Sequence, residues 1–460
     1  MLKSKFILTI ALGGILPGLA MATNGYFLPG FGVKSQGAGG VGIALQADSL
    51  AQVANPANLS QMGMWADLGL SLFSPKRFSA TGNATGLSDP SATVGGFGFS
   101  QTSESGNELY LMPDMAGSLP LSENMVLGFA VVGNGGMNTT YKENIFGLGR
   151  PNVQSGSAKW GGTRDLVGVD MIQILMPVSL AYKVTPKHNV GASLNLAAQR
   201  FKANGLGRFV QFGISSDPKN LTNNGYDYSY GAGVRLGYLG KFVDDRISVG
   251  VTWSSKTYMT KFDKYRGLFA EQGDFDIPEN YGLGIAIKPI DNFTVALDVV
   301  KIKYSGVASI SNAGPGINGG SGVDETTIID EIAALGGSTH PQALGQDNGM
   351  GFGWKDMTVY KLGLIYDPTD RLTLRAGYNY GKSPIRNDQL VFSALAPATV
   401  EKHYSIGFTY KMKGELDWDL SGTYMYVPEN IQQGCAQAVV GCVKYGMSQN
   451  ILGVGFGIKY

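Results

Sequence analysis

From Leu452 to the last residue the chain reads Leu-Gly-Val-Gly-Phe-Gly-Ile-Lys-Tyr, with a large apolar or aromatic side chain at every second position. Period two is the signature of an extended strand, whose side chains point alternately to opposite faces. The pattern recurs along the sequence. It runs from Ile172 to Val184, through Tyr226, Tyr228, Tyr230, Ala232, Val234, Leu236 and Tyr238, and from Ile247 to Trp253. It returns at Leu372–Tyr380, Tyr404–Met412 and Leu416–Tyr426. With weaker segments included, the alternation predicts about fourteen strands. They begin near residues 65, 107, 124, 170, 190, 225, 246, 274, 293, 356, 371, 402, 415 and 447.

Alternation alone does not separate a soluble sandwich from a barrel in a membrane, and a large secreted β-sandwich or propeller is the competing reading. The N-terminus and the charge content favour the membrane. Lys3 and Lys5 precede a short apolar run, Phe6–Ile15, and then Ala20-Met21-Ala22. That order predicts a secretory signal peptide over 1–22. Beyond it no apolar run reaches the roughly eighteen residues a membrane helix needs. Only 15% of residues are charged, where about a quarter is usual in a soluble chain. Removing Lys3 and Lys5 leaves 34 basic residues against 35 acidic ones, so no basic excess points to nucleic acid. An exported, weakly charged chain with 67 Gly and 22 Tyr suits an all-β fold, a transmembrane antiparallel β-barrel in a bacterial outer membrane.

The connections alternate as well. Short turns are predicted at 185–189, 243–246, 289–292, 367–370 and 413–415. Long segments lie between them, at 81–106, 138–169, 207–224, 264–273, 311–354, 381–400 and 428–446. An even strand number, short turns on one side and long loops on the other are the outer-membrane pattern. Pro113, Pro177 and Pro278 fall inside expected strands and mark local breaks in the wall, because proline cannot donate to the ladder. Within the long segment after the ninth strand, 323–335 reads as a short amphipathic helix with Ile328, Ile329, Ile332 and Leu335 on one face.

Gly37, Gly39 and Gly42 spell G-x-G-x-x-G, which in a strand-turn-helix setting binds dinucleotides. Here an export signal and Phe27-Leu-Pro-Gly30 precede it, and Asn55-Pro-Ala-Asn58 stands where a ribose-binding acid would be needed. The glycines are read instead as letting a compact segment turn in a confined space. Residues 23–62 do not alternate and form a separate unit, ahead of a barrel over 63–460.

Those N-terminal residues resemble a known family. Asn24-Gly-Tyr-Phe27, Lys34-Ser-Gln-Gly-Ala-Gly-Gly40, Asp48-Ser-Leu-Ala51 and Asn55-Pro-Ala57 follow one another as in the FadL/TodX (OmpP1) family of outer-membrane transporters of hydrophobic compounds. The likeness continues through the spaced prolines of Leu109–Pro120, Gly161–Leu166, Trp354-Lys-Asp356 with Tyr360, and Ser383-Pro384 after Gly377-Tyr378. It implies a fourteen-stranded barrel plugged by an N-terminal hatch. It also implies passive uptake, in which a long-chain fatty acid or, in other members, an aromatic hydrocarbon binds in the barrel and leaves sideways into the bilayer. Long-chain fatty acids are the first expectation, and aromatic or alkane hydrocarbons the alternative.

The site residues implied are few. Tyr26 and Phe27 of the hatch should reach the ligand pocket, and Asn55-Pro56-Ala57 should anchor the hatch near the wall opening. Gly133, Gly135 and Gly136 in the third strand mark the opening itself, with a plain bulge as the other reading. Arg208, with Phe209, is placed to hold a carboxylate, although a solvated loop arginine is the commoner case. The family's fatty-acid members carry a lysine after the ninth strand where this chain has Ser311 or a neighbour. That departure counts against a fatty-acid headgroup site.

Cys435 and Cys442 are the only cysteines and, in an oxidising compartment, are expected to pair as a disulfide. No cofactor or metal is expected, and no nucleic-acid partner. The expected partners are hydrophobic small molecules, the lipid bilayer and lipopolysaccharide, with the protein a monomer. A general porin remains a rival. An enzyme is a weaker one: His403-Tyr404-Ser405 echoes the His-x-Ser of outer-membrane phospholipases, but its alternation turns His403 and Ser405 to the lumen, away from lipid.

Overall fold

The computed structural model describes residues 23–82, 101–142, 166–211, 213–314, 340–412, 414, 417–435 and 442–460. The expected signal peptide and the expected helix over 323–335 lie outside these residues, as does most of 138–169.

Fourteen long strands make up the wall: β1 Trp65–Gly82, β2 Tyr110–Ser122, β3 Met125–Asn138, β4 Gly168–Lys183, β5 His188–Asn204, β6 Asp227–Phe242 and β7 Ile247–Ser254. They continue as β8 Asn280–Ile290, β9 Phe293–Ile302, β10 Met357–Thr369, β11 Leu372–Gly381, β12 Lys402–Met412, β13 Asp417–Cys435 and β14 Cys442–Lys459. Each pairs antiparallel with its sequence neighbours, and two short strands, Gln101–Glu104 and Tyr258–Met259, are added at β1 and β6. The sheet closes where β1 pairs with β14 from Trp65↔Lys459 to Gly82↔Cys442. Closure is what a sheet in hydrocarbon requires, since water is absent there to satisfy an open edge.

Alternation sorts the two faces as the sequence implied. Leu68 and Leu70 of β1, Val234 and Leu236 of β6, Tyr404, Ile406 and Phe408 of β12, and Leu452, Val454 and Phe456 of β14 are exposed, forming an outward apolar band. His403 and Ser405 are buried on the lumen side. All five expected short turns fall between paired strands. Two boundaries need correction. The eighth strand starts at Asn280 rather than 274, so Pro278 precedes it and breaks no ladder. The described residues of 428–446 are strand: a register shift between Val427 and Asn430 interrupts the period, and pairing with β14 then resumes as far as Cys435↔Cys442.

Residues 23–62 lie against the inner face of this wall, and glycines on both sides allow the contact. A Cβ on Gly377 of β11 would stand 1.9 Å from Gly39 N, and one on Gly250 of β7 would stand 2.2 Å from Ile43 O. Gly191 of β5 and Gly237 of β6 meet Pro56 and Asn55 as closely, and Gly407 of β12 meets Gly37. Gly39 and Gly40 also hold positive φ, 71° and 81°. The G-x-G-x-x-G stretch is therefore backbone laid on backbone, with no strand-turn-helix around it.

Charges then fix the segment. Lys34 Nζ lies 2.8 Å from Asp419 and 3.7 Å from Asp67, all three buried. Burial would lower the Lys34 pKa, but Asp48, Asp67 and Asp419 more than reverse this and hold it above the ordinary lysine value. Asp298 of β9 accepts from Gly42 N and Ile43 N, Lys361 of β10 donates to Gly40 O at 3.0 Å, and Arg235 of β6 donates to Ala54 O at 3.0 Å. Removing one member of a buried pair leaves an uncompensated charge, typically costing about 3–5 kcal/mol. Lys34→Met should therefore lower the denaturation midpoint in detergent strongly, and Lys34→Met combined with Asp419→Leu should recover part of the loss. Gly377→Val should also destabilise by roughly 1–3 kcal/mol through overpacking, while Gly306→Ala, with open space at its Cβ, should be silent. Denaturant titration followed by heat-modifiable gel mobility reads all four.

Candidate functional site: an apolar pocket and a window in the wall

One interruption in the wall stands out. The β2–β3 ladder runs from Ser122↔Met125 only as far as Met115↔Val131. Beyond it, Tyr110–Pro113 pair with β1 alone and Gly133–Asn138 with β4 alone. Above this window the two sides rejoin through the Ser105↔Tyr141 bridge and the Arg77 guanidinium, which bonds the carbonyls of Asn107 and Asn138. Pro113 sits on the window's edge, where a residue with no N–H costs least. Pro177 lies at a second local break: the β3–β4 pairing skips from Phe129↔Val178 to Val132↔Leu175.

The N-terminal segment supplies the hydrogen bonds that β2 does not. Phe27 bridges Gly135, Leu28 N donates to Asn134 O, and Gly136 N donates to Tyr26 O. Gly135 has φ 153° and no room for a side chain, since a Cβ would fall 1.7 Å from Tyr26 O. The register slips by one residue between Gly133 and Gly135. The glycines singled out in the third strand thus lie together at the interruption.

Strand β3 leans inward here, and β4 records it. Val178, Leu180 and Tyr182 are exposed, yet Ile172 and Ile174 on the same face are buried. They pack with Phe73, Tyr110 and Met112, which belong to the inner faces of β1 and β2. Outer-face residues can meet inner-face residues only if the upper part of β3 and β4 is tucked behind β1 and β2. Strict alternation has no means of signalling this.

On the other side of β3 and β4 lies a pocket lined by Met137, Val169, Phe201, Phe209, Leu268, Phe269, Ser309, Leu344, Met350, Gly351, Phe352, Phe392 and Leu395. None of these is charged. Ser309 supplies the one side-chain hydroxyl, which already donates to Asp274 O at 2.6 Å. Phe201 meets Tyr265 edge-to-face at 4.8 Å and Phe269 at a tilt at 4.6 Å, ring centre to ring centre, which gives the walls a fixed aromatic shape. A second cavity lies at the window, lined by Leu28, Phe31, Met112, Pro113, Asp114, Val132, Gly133, Gly135 and Gln173 among others.

Of the residues singled out by sequence, Phe209 lines the pocket. Tyr26 and Phe27 do not. Tyr26 lies in an aromatic cluster with Phe27, Phe275, Tyr304 and Trp354, at 5.1–6.4 Å between ring centres, in the same apolar core as the pocket lining. The Tyr304 hydroxyl ties this cluster down, donating to Asn24 O at 2.6 Å and accepting from Tyr26 N. Asn55-Pro56-Ala57 does anchor the segment, but not at the window. Asn55 bonds Ile43 O and Tyr238 O, and Pro56 sits on Gly191 and Gly237, so the motif rests on β5 and β6. The Arg208 side chain and those of Cys435 and Cys442 lie outside the described residues. The backbone nevertheless sets Cys435 directly opposite Cys442. Ser311 does not line the pocket; Ser309, two residues earlier, does. The sequence reading missed Phe201, Phe269 and Phe392, which stand in strand and loop positions like any others.

A family model described as outer membrane protein transport protein (OMPP1/FadL/TodX) matches residues 19–460. The chain belongs to this family. It is an outer-membrane transporter of hydrophobic compounds. Among solved structures it is similar to the toluene transporter TodX of P. putida, at 18% identity and TM-score 0.64, covering 94% of this chain and 99% of that one. A FadL homologue of Pseudomonas aeruginosa matches at 15% identity and TM-score 0.63, with 94% and 99% covered. The toluene transporter TbuX of Ralstonia pickettii matches at 18% and 0.57, with 93% and 98% covered. At these identities the likeness establishes the fold, which agrees in its fourteen-stranded closed barrel. No curated protein sequence matches closely.

The window makes a direct prediction. Gly135→Ala should break the pairing of Tyr26–Leu28 with β3, because its methyl meets backbone. A cysteine placed at Leu28 should then react with a membrane-impermeant maleimide at least about tenfold faster than in the parent, as expected when local opening costs about 1.4 kcal/mol less. Unchanged labelling would mean the bridge does not hold the segment.

Proposed function

We propose that the protein takes up small uncharged hydrophobic molecules, monoaromatic or alkane hydrocarbons, without an energy source. The ligand enters from the external side, rests in the pocket around Phe201, Phe269 and Phe392, and leaves sideways through the window between β2 and β3. The observation that carries this reading is the lining: thirteen residues with no charge and a single hydroxyl already engaged. A carboxylate desolvated there would find no charged partner among the described lining residues, and an unpaired buried charge is among the most costly arrangements in a protein. A benzene ring asks only for apolar contact and aromatic edges. The neighbours named as toluene transporters support the same choice over long-chain fatty acids. Fatty acids remain the second reading because Arg208 directly precedes the pocket residue Phe209.

In this reading residues 23–62 act as a hatch that closes the lumen to water, and the barrel works as a monomer facing lipopolysaccharide outside. The rigid hatch distinguishes it from a general porin, which would conduct ions. The disulfide Cys435–Cys442 would staple the tip of the β13–β14 hairpin.

Uptake of labelled toluene and labelled oleate into cells lacking their own hydrophobic channels tests the proposal. The protein should raise toluene accumulation and leave oleate near background; oleate uptake without toluene uptake would reverse the assignment. A short thiol cross-linker between Pro113→Cys and Gly133→Cys, which continue the register of Met115↔Val131, should abolish the toluene gain. Full uptake in the cross-linked protein would remove the lateral route.

A further inference from the structure

We infer that the lumen holds a second binding site, for the carboxylate of a small aryl or alkyl acid, between residues 23–62 and the inner wall of β6–β10. The inference goes beyond the hydrocarbon reading and does not rest on it, because this cavity shares no lining residue with the apolar pocket. Arg235 of β6, Asp298 of β9 and Lys361 of β10 face the cavity from the wall. Leu28 and Phe31 face it from the N-terminal segment and also line the window cavity, so the two cavities meet at these side chains.

Two cations stand here against one carboxylate, and that carboxylate is already engaged. Asp298 Oδ2 accepts from Gly42 N at 2.8 Å and from Ile43 N at 3.1 Å. Arg235 is buried, and among the described residues neither it nor Lys361 forms an ion pair. A buried cation that serves only the fold is normally paired, as Lys34 is with Asp419 at 2.8 Å. Arg235 instead donates to Ala54 O at 3.0 Å and to Asn280 Oδ1 at 3.4 Å, and Lys361 donates to Gly40 O at 3.0 Å. A guanidinium has five N–H donors and an ammonium three, so both groups keep donors for a ligand. A carboxylate beside them supplies the missing negative charge and matches the guanidinium fork. The rest of the lining selects what the carboxylate is attached to. Phe27, Phe31, Val300, Ile302 and Val359 are apolar, which suits an acid with a ring or short chain better than an inorganic anion.

The test is calorimetry on the full protein in a non-ionic detergent at neutral pH, with benzoate and its uncharged counterpart benzamide as probes. The parent should bind benzoate, and benzamide at least about tenfold more weakly, the scale of one hydrogen bond to a charged group. Arg235→Gln and Lys361→Gln should each weaken benzoate by a similar factor. Either substitution also removes an anchor of residues 23–62, so Val300→Phe serves as a further variant. It keeps both cations, fills the cavity from the wall, and should block benzoate as well. Heat-modifiable gel mobility checks that each variant is folded. No benzoate binding by the parent, equal binding of benzoate and benzamide, or benzoate binding unchanged either in Val300→Phe or in both charge variants overturns the site. Toluene binding to the same samples should be unaffected by all three substitutions. A parent that binds benzoate as expected but not toluene would overturn the hydrocarbon reading and keep this site.

Discussion

A backbone amide in hydrocarbon must find its partner within the protein, and this requirement shapes the molecule. It forces the sheet to close between β1 and β14, and it makes any interruption of the ladder conspicuous. The wall is interrupted between β2 and β3, and the unpaired edge of β3 is taken up by Tyr26–Leu28. The window is thus hydrogen-bonded on the side facing the lumen, while Pro113 lowers the number of donors on the side facing β2. A passage for an apolar molecule can sit at membrane depth only under such an arrangement, with irregular backbone covered by protein.

The interior is divided by the same interruption. Because β3 and the upper part of β4 lean inward, Met137 and Val169 line the apolar pocket, while Ile172 and Ile174 meet Phe73 and Met112 behind it. The hatch-like segment below is held by glycine contacts and buried ion pairs with most of the strands. Lys34, Gly42 and Asn55 are held by charge and side-chain hydrogen bonds, whereas Tyr26–Leu28 is held by backbone bonds to β3, the Tyr304 hydroxyl and the aromatic cluster around Tyr26.

The strands were legible in the sequence because each outward position must be apolar along its length, and twelve of the fourteen starts fall within three residues of expectation. The last strand begins at Cys442 rather than near 447, because in its first residues the large apolar side chains Val443, Tyr445 and Met447 are on the buried inner face and not on the outward one. The eighth was begun too early, because Phe275 and Ile277 are apolar in a loop. The glycines at 133, 135 and 136 lie at the interruption, but in the sequence they fit a plain bulge equally well, and the register does slip between Gly133 and Gly135. The pocket was not legible beyond Phe209. Phe201 looks like any strand residue, and Phe352 and Phe392 are brought to it by loops whose paths carry no periodic signal. The expectation for Asn55-Pro56-Ala57 was an anchor near the wall opening; the motif lies on β5 and β6 instead, a position set by Gly191 and Gly237 far away in the chain.

The most direct test of the account is where a ligand sits. A crystal of the protein soaked with iodobenzene, a heavy-atom mimic of a monoaromatic hydrocarbon, would reveal the site by anomalous scattering. The account predicts a peak among Phe201, Phe269 and Phe392 and a weaker one in the window beside Pro113 and Gly133. A peak on the barrel axis beneath residues 23–62, with neither of these occupied, would mean that the ligand travels straight through to the periplasm, and would contradict the lateral route.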